Sequence, residues 1–434
     1  MSSSTAAESK ASTAVVSLPS PIPELMTITN KPINASLYQG FLVVHLPSMT
    51  EFTGSSTSVN QFEKLNRLGE GTYGVVHRVQ DRRTDEIVAL KAVRIFANEK
   101  RDGIPNTALR EISLLRSLRH QNVIRVLEVA VGETQLDEVY MVMEYAEHDL
   151  ADLIDYAQAK FSVSEVKCLM RQLFDGLEYI HKHGIIHRDI KMSNLLLTAR
   201  GILKIADFGL ARSHTDRPMT PGVVTIWYRS PELLFNTKNY SSAIDIWSAG
   251  CIMGELIRRK PLLPGDSEKQ QIDLIVDLLG APNERIWPGF RTLPLARHFR
   301  LHDLRPNTLD KVLRGQSRAT IELVNELLTY DPDKRTTAKE ALRHDYFEER
   351  PKALDPGLLP TFPELRRFDN ASYRNGSPTR DDMSDDIESE PSIRVHGDKR
   401  KPKGTYAFEI DENELLLPLD GDGEKRRNTK RTKR

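Results

Sequence analysis

Between Leu65 and Ile180 the spacing of apolar residues changes period once, and that change limits the folds open to the chain. From Leu65 to Ile95, short β-branched runs, "GVVHRV" and "EIVALKAV", are joined by the turn-like "DRRTDE". That is the pattern of hairpin strands, and "VYMVMEY" (Val139 to Tyr145) is a further strand. After Asp149 helices take over. Ser162 and Glu165 have the spacing of a capping box, and Val166, Leu169, Met170, Leu173, Leu177 and Ile180 recur at helical intervals until Gly184 stops the run. A small strand-rich lobe therefore precedes a larger helical one in an α+β arrangement.

Dense patterning runs from Phe62 to about Phe347. It divides the chain into a Ser/Thr/Pro-rich segment (1–60), a domain (61–350, its lobes meeting near 146/147) and a charged extension (351–434). The first segment has little apolar surface to bury and is expected to lack structure. "YQGFLVVHL" (Tyr38 to Leu46) is the exception, a strand or a docking segment. In the extension, acidic "RDDMSDDIESE" is followed by basic "DKRKPK" and "EKRRNTKRTKR", which reads as a flexible tail.

The 434 residues carry 61 basic and 61 acidic side chains. Zero net charge argues against a globally basic nucleic-acid binder. Two cysteines, Cys168 and Cys251, cannot build a disulfide framework or a multi-cysteine zinc site. They read as reduced core residues. No arginine precedes Arg67, no basic segment leads an apolar one, and no apolar run reaches the roughly 18 residues that span a bilayer. The chain is expected to be soluble and intracellular, with no membrane partner.

"GEGTYG" (Gly69 to Gly74) has the G-x-G-x-x-G spacing shared by several nucleotide-binding loops. A dinucleotide fold would need a helix immediately afterwards. Here "VVHRVQD" follows, so the loop reads as a hairpin lid whose backbone N–H groups cover phosphates, with Val76 left to pack on a base. Lys91 lies in "VALKAV", where a charge among apolar residues needs a reason. On a strand its side chain shares a face with Ala89 and Val93; the plain alternative is a strand-edge lysine in solvent.

"HRDIKMSN" (His187 to Asn194) and "DFG" (Asp207 to Gly209) follow in order, then "SPE" (Ser230 to Glu232). Taken singly, the first could be a charged turn and the second a hairpin turn. Together with the glycine loop and strand lysine they resemble the protein kinase template. That resemblance implies a two-lobed fold, with an antiparallel sheet plus one helix in the N-lobe and a mainly helical C-lobe. Phosphoryl transfer needs positioning and charge neutralisation. Mg²⁺ takes hard oxygen ligands, which Asp207 and Asn194 supply. Asp189 would accept a hydrogen bond from the substrate hydroxyl, Lys191 would neutralise the γ-phosphate, and Lys91 would hold the α and β phosphates of ATP. Lysine at position 191 separates Ser/Thr kinases from most tyrosine kinases.

In "IPNTALREI" (Ile104 to Ile112) Arg110 and Glu111 are adjacent, so on a helix they point about 100° apart and cannot serve each other. Glu111 shares a face with Ala108, Ile112 and Leu115, an apolar stripe that would carry it inward to Lys91.

"GEGTYGVV", "PNTALREI", "HRDIKMSNLLL", "DFGLAR" and "VVTIWYRSPELL" resemble the cyclin-dependent protein kinases over about residues 61 to 350. "MTPGVVTIWYRSPELL", "GDSEKQQIDLIVDLLGAPNERIWPGF" and "LPTFPEL" are most similar to the branch containing cyclin-dependent kinases 10 and 11. Serine in "SPE", Ile226 and Ile190 depart mildly from the family pattern, and none removes a catalytic group. The resemblance implies an ATP site formed by Leu68, Gly69, Glu70, Gly71, Thr72, Tyr73 and Gly74 of the loop, with Val76, Ala89 and Lys91. Met143 would be the gatekeeper, the backbone of Glu144 and Ala146 would hold adenine, and Asp149 would lie near the ribose. Glu232 would pair with Arg335 to anchor the activation segment, and Val224 would shape a pocket favouring proline after the target Ser or Thr. Thr220 matches the activating phosphorylation site, with Arg110, Arg188 and Arg212 as its cradle. Thr72 and Tyr73 match inhibitory sites. Pro105, Asn106, Thr107, Ala108 and Leu109 match the face that a cyclin grips.

The expectation is therefore an ATP- and Mg²⁺-dependent, proline-directed serine/threonine kinase, with a cyclin-type subunit, an upstream activating kinase and Ser/Thr-Pro protein substrates as partners. Its role would lie in the cell cycle or in transcription and RNA processing. The basic C-terminal clusters suit nuclear import better than direct nucleic-acid binding, leaving the nucleus, with the cytoplasm, as the expected location. A catalytically silent cyclin-binding scaffold is the alternative from another class, but such proteins usually lose the lysine or an aspartate kept here. A MAP-kinase-like enzyme is the nearest competitor, and no T-x-Y doublet stands at the expected place between "DFG" and "SPE".

Overall fold

The computed structural model describes residues 35–38, 41–44, 57–71, 74–93, 112, 114–132, 138–213, 224–296 and 306–364. Residues 1–57 and 58–434 form separate units. In the first, β1 (Ala35–Tyr38) and β2 (Phe41–Val44) pair antiparallel from Ala35 opposite Val44 to Tyr38 opposite Phe41. The "YQGFLVVHL" stretch thus contributes to a hairpin inside the segment expected to lack structure.

A two-residue strand, β3 (Thr57–Ser58), and a 3-10 turn (Val59–Gln61) lead into β4 (Phe62–Gly71) of the second unit. β5 (Gly74–Asp81), β6 (Ile87–Ala92), β7 (Val126–Val131) and β8 (Val139–Glu144) follow. They pair antiparallel in the order β7-β8-β6-β5-β4. Directly opposed residues share a face, so Val76 opposite Lys91, Ala89 opposite Met143 and Lys91 opposite Met141 put all five side chains on one side of the sheet. Val79, Val88, Leu90 and Val142 point the other way and pack with Phe62 and Ala130 into a small separate core. One face of the sheet is thereby sealed while the other carries the lysine. Ile112 and Leu115, from the stripe predicted around residue 111, are buried in the main core, as is Leu118.

The chain then passes through β9 (His148–Asp149) into α1 (Leu150–Asp155), capped by the Asp149 carboxylate on the Asp152 N–H at 2.7 Å. α2 (Val163–Lys182) starts with the predicted capping box between Ser162 and Glu165 and ends before Gly184, whose φ of +69° favours glycine. All six apolar residues predicted for its inner face are buried. β10 (Ile185–Ile186) pairs with β13 (Arg212–Ser213), and β11 (Leu195–Leu197) lies between β9 and β12 (Leu203–Ile205).

α3 (Pro231–Leu234) and α4 (Ala243–Arg258) follow, then α5 (Glu268–Leu279). α6 (Leu309–Val312), α7 (Arg318–Leu327), α8 (Ala338–Ala341) and α9 (Asp345–Glu348) complete the helical lobe. α4 is buried along nearly its whole length and forms the lobe's axis, with Trp247 fully enclosed. Cys168 and Cys251 are free, buried thiols, and burial pushes Cys168 up to about 11 and Cys251 still higher. This matches inert core cysteines. Among the described residues no helix is long and apolar enough to cross a membrane.

Candidate active site

Gly71 lies opposite Gly74 at the end of the β4–β5 ladder, so the glycine-rich stretch closes a hairpin and runs on as strand, as the β-branched run after it predicts. Gly74 has a structural reason to be glycine. Its φ is +143°, and a Cβ there would stand 1.9 Å from the Ala92 carbonyl oxygen. Leu68 and Gly69 are half-buried on the approach to the turn, and Glu70 and Gly71 complete β4. Thr72 and Tyr73 lie outside the described residues.

Beneath the sheet, Lys91 is buried, not a solvated edge lysine, and its Nζ stands 3.0 Å from Asp207 Oδ1. This contact joins the strand lysine to the DFG aspartate across 116 residues of sequence. Glu111, Arg110 and Pro105 to Leu109 lie outside the described residues, and so does the predicted Lys91–Glu111 pair. Asp207 adopts a left-handed backbone, φ 62° and ψ 71°. Burial pushes its carboxyl up, but Lys91, Lys191 and His187 outweigh this and hold it below the usual carboxylate range.

At the hinge, Met143 packs beside Ala89, and Ala146 is buried. The Glu144 N–H donates to the Arg125 carbonyl at 3.1 Å. Its side chain accepts from the Arg125 N–H and from Lys204 Nζ, bracing the hinge from behind. Asp149, predicted near the ribose, is buried and caps α1 with one carboxylate oxygen.

The loop between β10 and β11 holds the catalytic candidates, and its shape comes from α4. The buried Asp245 carboxylate accepts the His187 N–H at Oδ2 and the Arg188 N–H at Oδ1, both at 2.9 Å, and contacts His181 Nε2 at 2.9 Å. Arg188 is held at φ 68°, a conformation costly for a side-chain-bearing residue, and two hydrogen bonds to one carboxylate account for its persistence. Asp245 was missed in the sequence reading. The signal was present, since a lone carboxylate in "AIDIWSAGCIM" sits in an otherwise apolar helix.

His187 is fully buried, and burial pushes its imidazole below the usual range. Its Nδ1 accepts the Asp189 N–H at 3.2 Å while Nε2 faces the Ala206 carbonyl at 3.1 Å, so one neutral tautomer satisfies both. The histidine thus ties Asp189 to the strand end that carries Asp207. Asn194 Nδ2 donates to the Asp189 carbonyl at 2.8 Å and to its Oδ2 at 3.0 Å, while Lys191 Nζ lies 2.8 Å from the same Oδ2. Thr225 Oγ1 donates to the other carboxylate oxygen at 3.2 Å.

The amide nitrogen of Asn194 is therefore committed, which leaves its oxygen as the donor for a cation. The Ala206 N–H bonds to the Asn194 carbonyl at 2.9 Å, placing Asn194 and Asp207 at the same end of the β11–β12 hairpin. An amide oxygen and a carboxylate are hard oxygen ligands of the kind that Mg²⁺ takes.

Ile186 is opposite Arg212, and Arg188 Nε donates to the Leu210 carbonyl at 2.6 Å, so two of the three predicted cradle arginines stand on adjacent segments. Thr220 lies outside the described residues. Glu232 and Arg335 form the pair that the resemblance implied, with two hydrogen bonds of 2.7 and 2.9 Å.

The protein kinase domain family matches residues 62–347. Mouse cyclin-dependent kinase 10 is 52% identical over 315 residues, covering 72% of this chain and 87% of that protein. The probable cyclin-dependent kinase 10 of Dictyostelium discoideum is 48% identical over 73% of this chain and 86% of its own length. Among solved structures, a chain of the CAK complex from Chaetomium thermophilum bound to ATP-gamma-S superposes with a TM-score of 0.64 at 38% identity, covering 70% of this chain and 96% of that one. A lysine, two aspartates and an asparagine joined through the contacts above agree with these matches, and the chain belongs to the protein kinase family as a serine/threonine kinase of the cyclin-dependent type, similar to cyclin-dependent kinase 10.

Proposed function

We propose that this kinase transfers the γ-phosphoryl group of ATP to a Ser or Thr that proline follows, and that it works with a cyclin-type subunit. The observation that carries the proline preference is Val224. Its φ of +69° is an outlier for a β-branched residue, and its carbonyl is turned to Arg229, accepting from Nε at 3.2 Å and Nη2 at 2.9 Å. Arg229 is braced in turn by Glu268 at 2.6 Å. A carbonyl so occupied offers nothing to a backbone N–H of a docked substrate. Proline has no N–H to satisfy, whereas any other residue would bury one unpaired at a cost of about 1–3 kcal/mol. Peptides differing only as Ser-Pro and Ser-Ala test this. The Ser-Pro peptide should show a kcat/KM higher by about tenfold or more, and equal values would refute the preference.

In the catalytic step, Lys91 holds the α and β phosphates and Asp189 accepts the hydrogen bond of the substrate hydroxyl, directing it in line. Lys191, 2.8 Å from that carboxylate, faces the transferred group and offsets its charge. Asn194 and Asp207 would hold Mg²⁺, which supplies neutralisation of phosphate charge.

The regulatory part of the proposal rests on the sequence. A cyclin-type subunit would bind Pro105 to Leu109 and rotate Glu111 towards Lys91. An upstream kinase would phosphorylate Thr220, bringing about −1.5 to −2 charges to Arg110, Arg188 and Arg212. Phosphate on Thr72 or Tyr73 would repel ATP. Thr220→Ala should lower activity while leaving cyclin binding in place, and full activity would contradict this. Nuclear location is proposed from the basic tail, and exclusion from nuclei of a reporter carrying residues 395–434 would remove it.

A further inference from the structure

The "LPTFPEL" motif lies beyond the last helix of the lobe and has no part in the chemistry above. The structure places residues 354–364 as a strap that climbs from the helical lobe to the hinge. Its lower end is fixed where the Leu354 N–H donates to the Ser164 carbonyl at 3.0 Å, at the start of α2. It then crosses the β11–β12 turn so closely that a Cβ on Gly201 would stand 1.8 Å from the Pro356 carbonyl oxygen. Leu359 is buried there, and Phe362 presents its ring to those of His148 and Phe161, each with centroids 6.0 Å away.

At the upper end, Glu364 Oε1 accepts the Tyr145 hydroxyl at 2.9 Å and lies 3.5 Å from Arg78 Nε. The Arg78 guanidinium covers the Tyr145 ring at 5.5 Å and is largely buried. Tyr145 sits between Glu144 and Ala146, whose backbone forms the adenine site, and Arg78 lies two residues after Val76, on the same sheet face. One carboxylate thus links the strap, the hinge and the strand that roofs the base.

We propose that Glu364 is a positioning residue of the nucleotide site, holding the hinge and β5 in register so that ATP binding depends on the strap. The physical reason is preorganisation. A hinge side chain held by a charged hydrogen bond loses less freedom when nucleotide binds. Without the carboxylate, a mostly buried guanidinium would also be left without its counter-charge, and the strand end would shift to hydrate it.

The proposal rests on the hinge being the adenine site, and the test separates the two. The full chain is titrated with a fluorescent ADP analogue and Mg²⁺, and its thermal unfolding is followed without nucleotide. Glu364→Ala should raise the dissociation constant by roughly three- to tenfold, the scale of one hydrogen bond. Glu364→Gln, whose side-chain carbonyl still accepts the Tyr145 hydroxyl but brings no counter-charge to Arg78, should recover part of that loss. Tyr145→Phe should weaken binding similarly, and the double variant should be little worse than either single one. Unchanged affinity in Glu364→Ala, or losses that add in the double variant, would overturn the proposal. So would a loss that Gln does not recover and that follows a fall in unfolding temperature. A wild-type chain that holds no nucleotide would overturn the adenine-site reading and the strap's role with it.

Discussion

Arg335 and Glu232, 103 residues apart, meet in a buried two-point ion pair inside the helical lobe. The guanidinium also donates to the carbonyls of Ala243, Thr329 and Tyr330 and lies over the Trp247 ring at 5.1 Å. Breaking one side of such a pair leaves a buried charge alone. Arg335→Ala should therefore cost about 3–5 kcal/mol of stability. Arg335→Lys should recover little of it, because a single ammonium cannot reproduce the fork. Urea unfolding of the three proteins measures this, and a Lys variant of wild-type stability would contradict it.

Asp245 links stability to acid and to catalysis. Burial pushes its carboxyl up, but contacts with His181 and His187 outweigh this and hold it below the usual 3.8. A carboxyl lowered in the folded state contributes stability that is fully present above its unfolded pKa and is lost as pH falls through the folded value. Asp245→Asn should destabilise the fold at neutral pH, and its deficit relative to wild type should narrow below about pH 4. Because Asp245 holds the His187 and Arg188 N–H groups, kcat should fall more than the KM for ATP rises. Denaturation curves across pH and steady-state kinetics give both readouts.

Asp189→Asn keeps the size of the side chain while removing its charge. If Asp189 orients the substrate hydroxyl, kcat should drop by about 10²- to 10⁴-fold, the range of general base catalysis. Nucleotide affinity should stay within a few-fold of wild type. A variant that retains tenth-level turnover would refute the role.

Arg229→Met would release the Val224 carbonyl from its two donors. That oxygen would then be available to an N–H after the target residue, so the ratio of Ser-Pro to Ser-Ala turnover should shrink. The comparison of the two peptides described above provides the measurement.

Ser230 replaces the usual alanine of the motif, is fully buried, and its hydroxyl has no hydrogen-bond partner among the described residues. An unmade buried hydrogen bond costs about 1–3 kcal/mol. Ser230→Ala should leave the unfolding midpoint unchanged or raise it, and a clear fall would show that the hydroxyl has a partner.

The fold class was legible in the sequence because it depends on local spacing. The hairpin after Gly74, the capping box at Ser162 and the buried face of α2 follow from residues within a turn or two of one another. Lys91, Asp189, Lys191, Asn194 and Asp207 were singled out because their order and intervals form a known set, and the structure brings Lys91 to Asp207 and Lys191 and Asn194 to Asp189. Asp245 was not found, since its partners are 57 and 58 residues away and no local pattern marks an aspartate as a backbone acceptor for a distant loop. Glu364 was likewise seen only as part of a motif, although its partner Tyr145 is 219 residues away.

The sequence by itself determined the two periodicities, the glycine turn and the motifs that carry the kinase resemblance, because those are properties of residues close along the chain. Only the tertiary structure decided that Val224 turns its carbonyl to Arg229, that Asp245 sets the backbone of His187 and Arg188, and that the strap ends on the hinge. Each of these is a hydrogen bond whose donor and acceptor are brought within 3.5 Å by packing of whole elements, and a spacing rule contains no information about which distant elements meet.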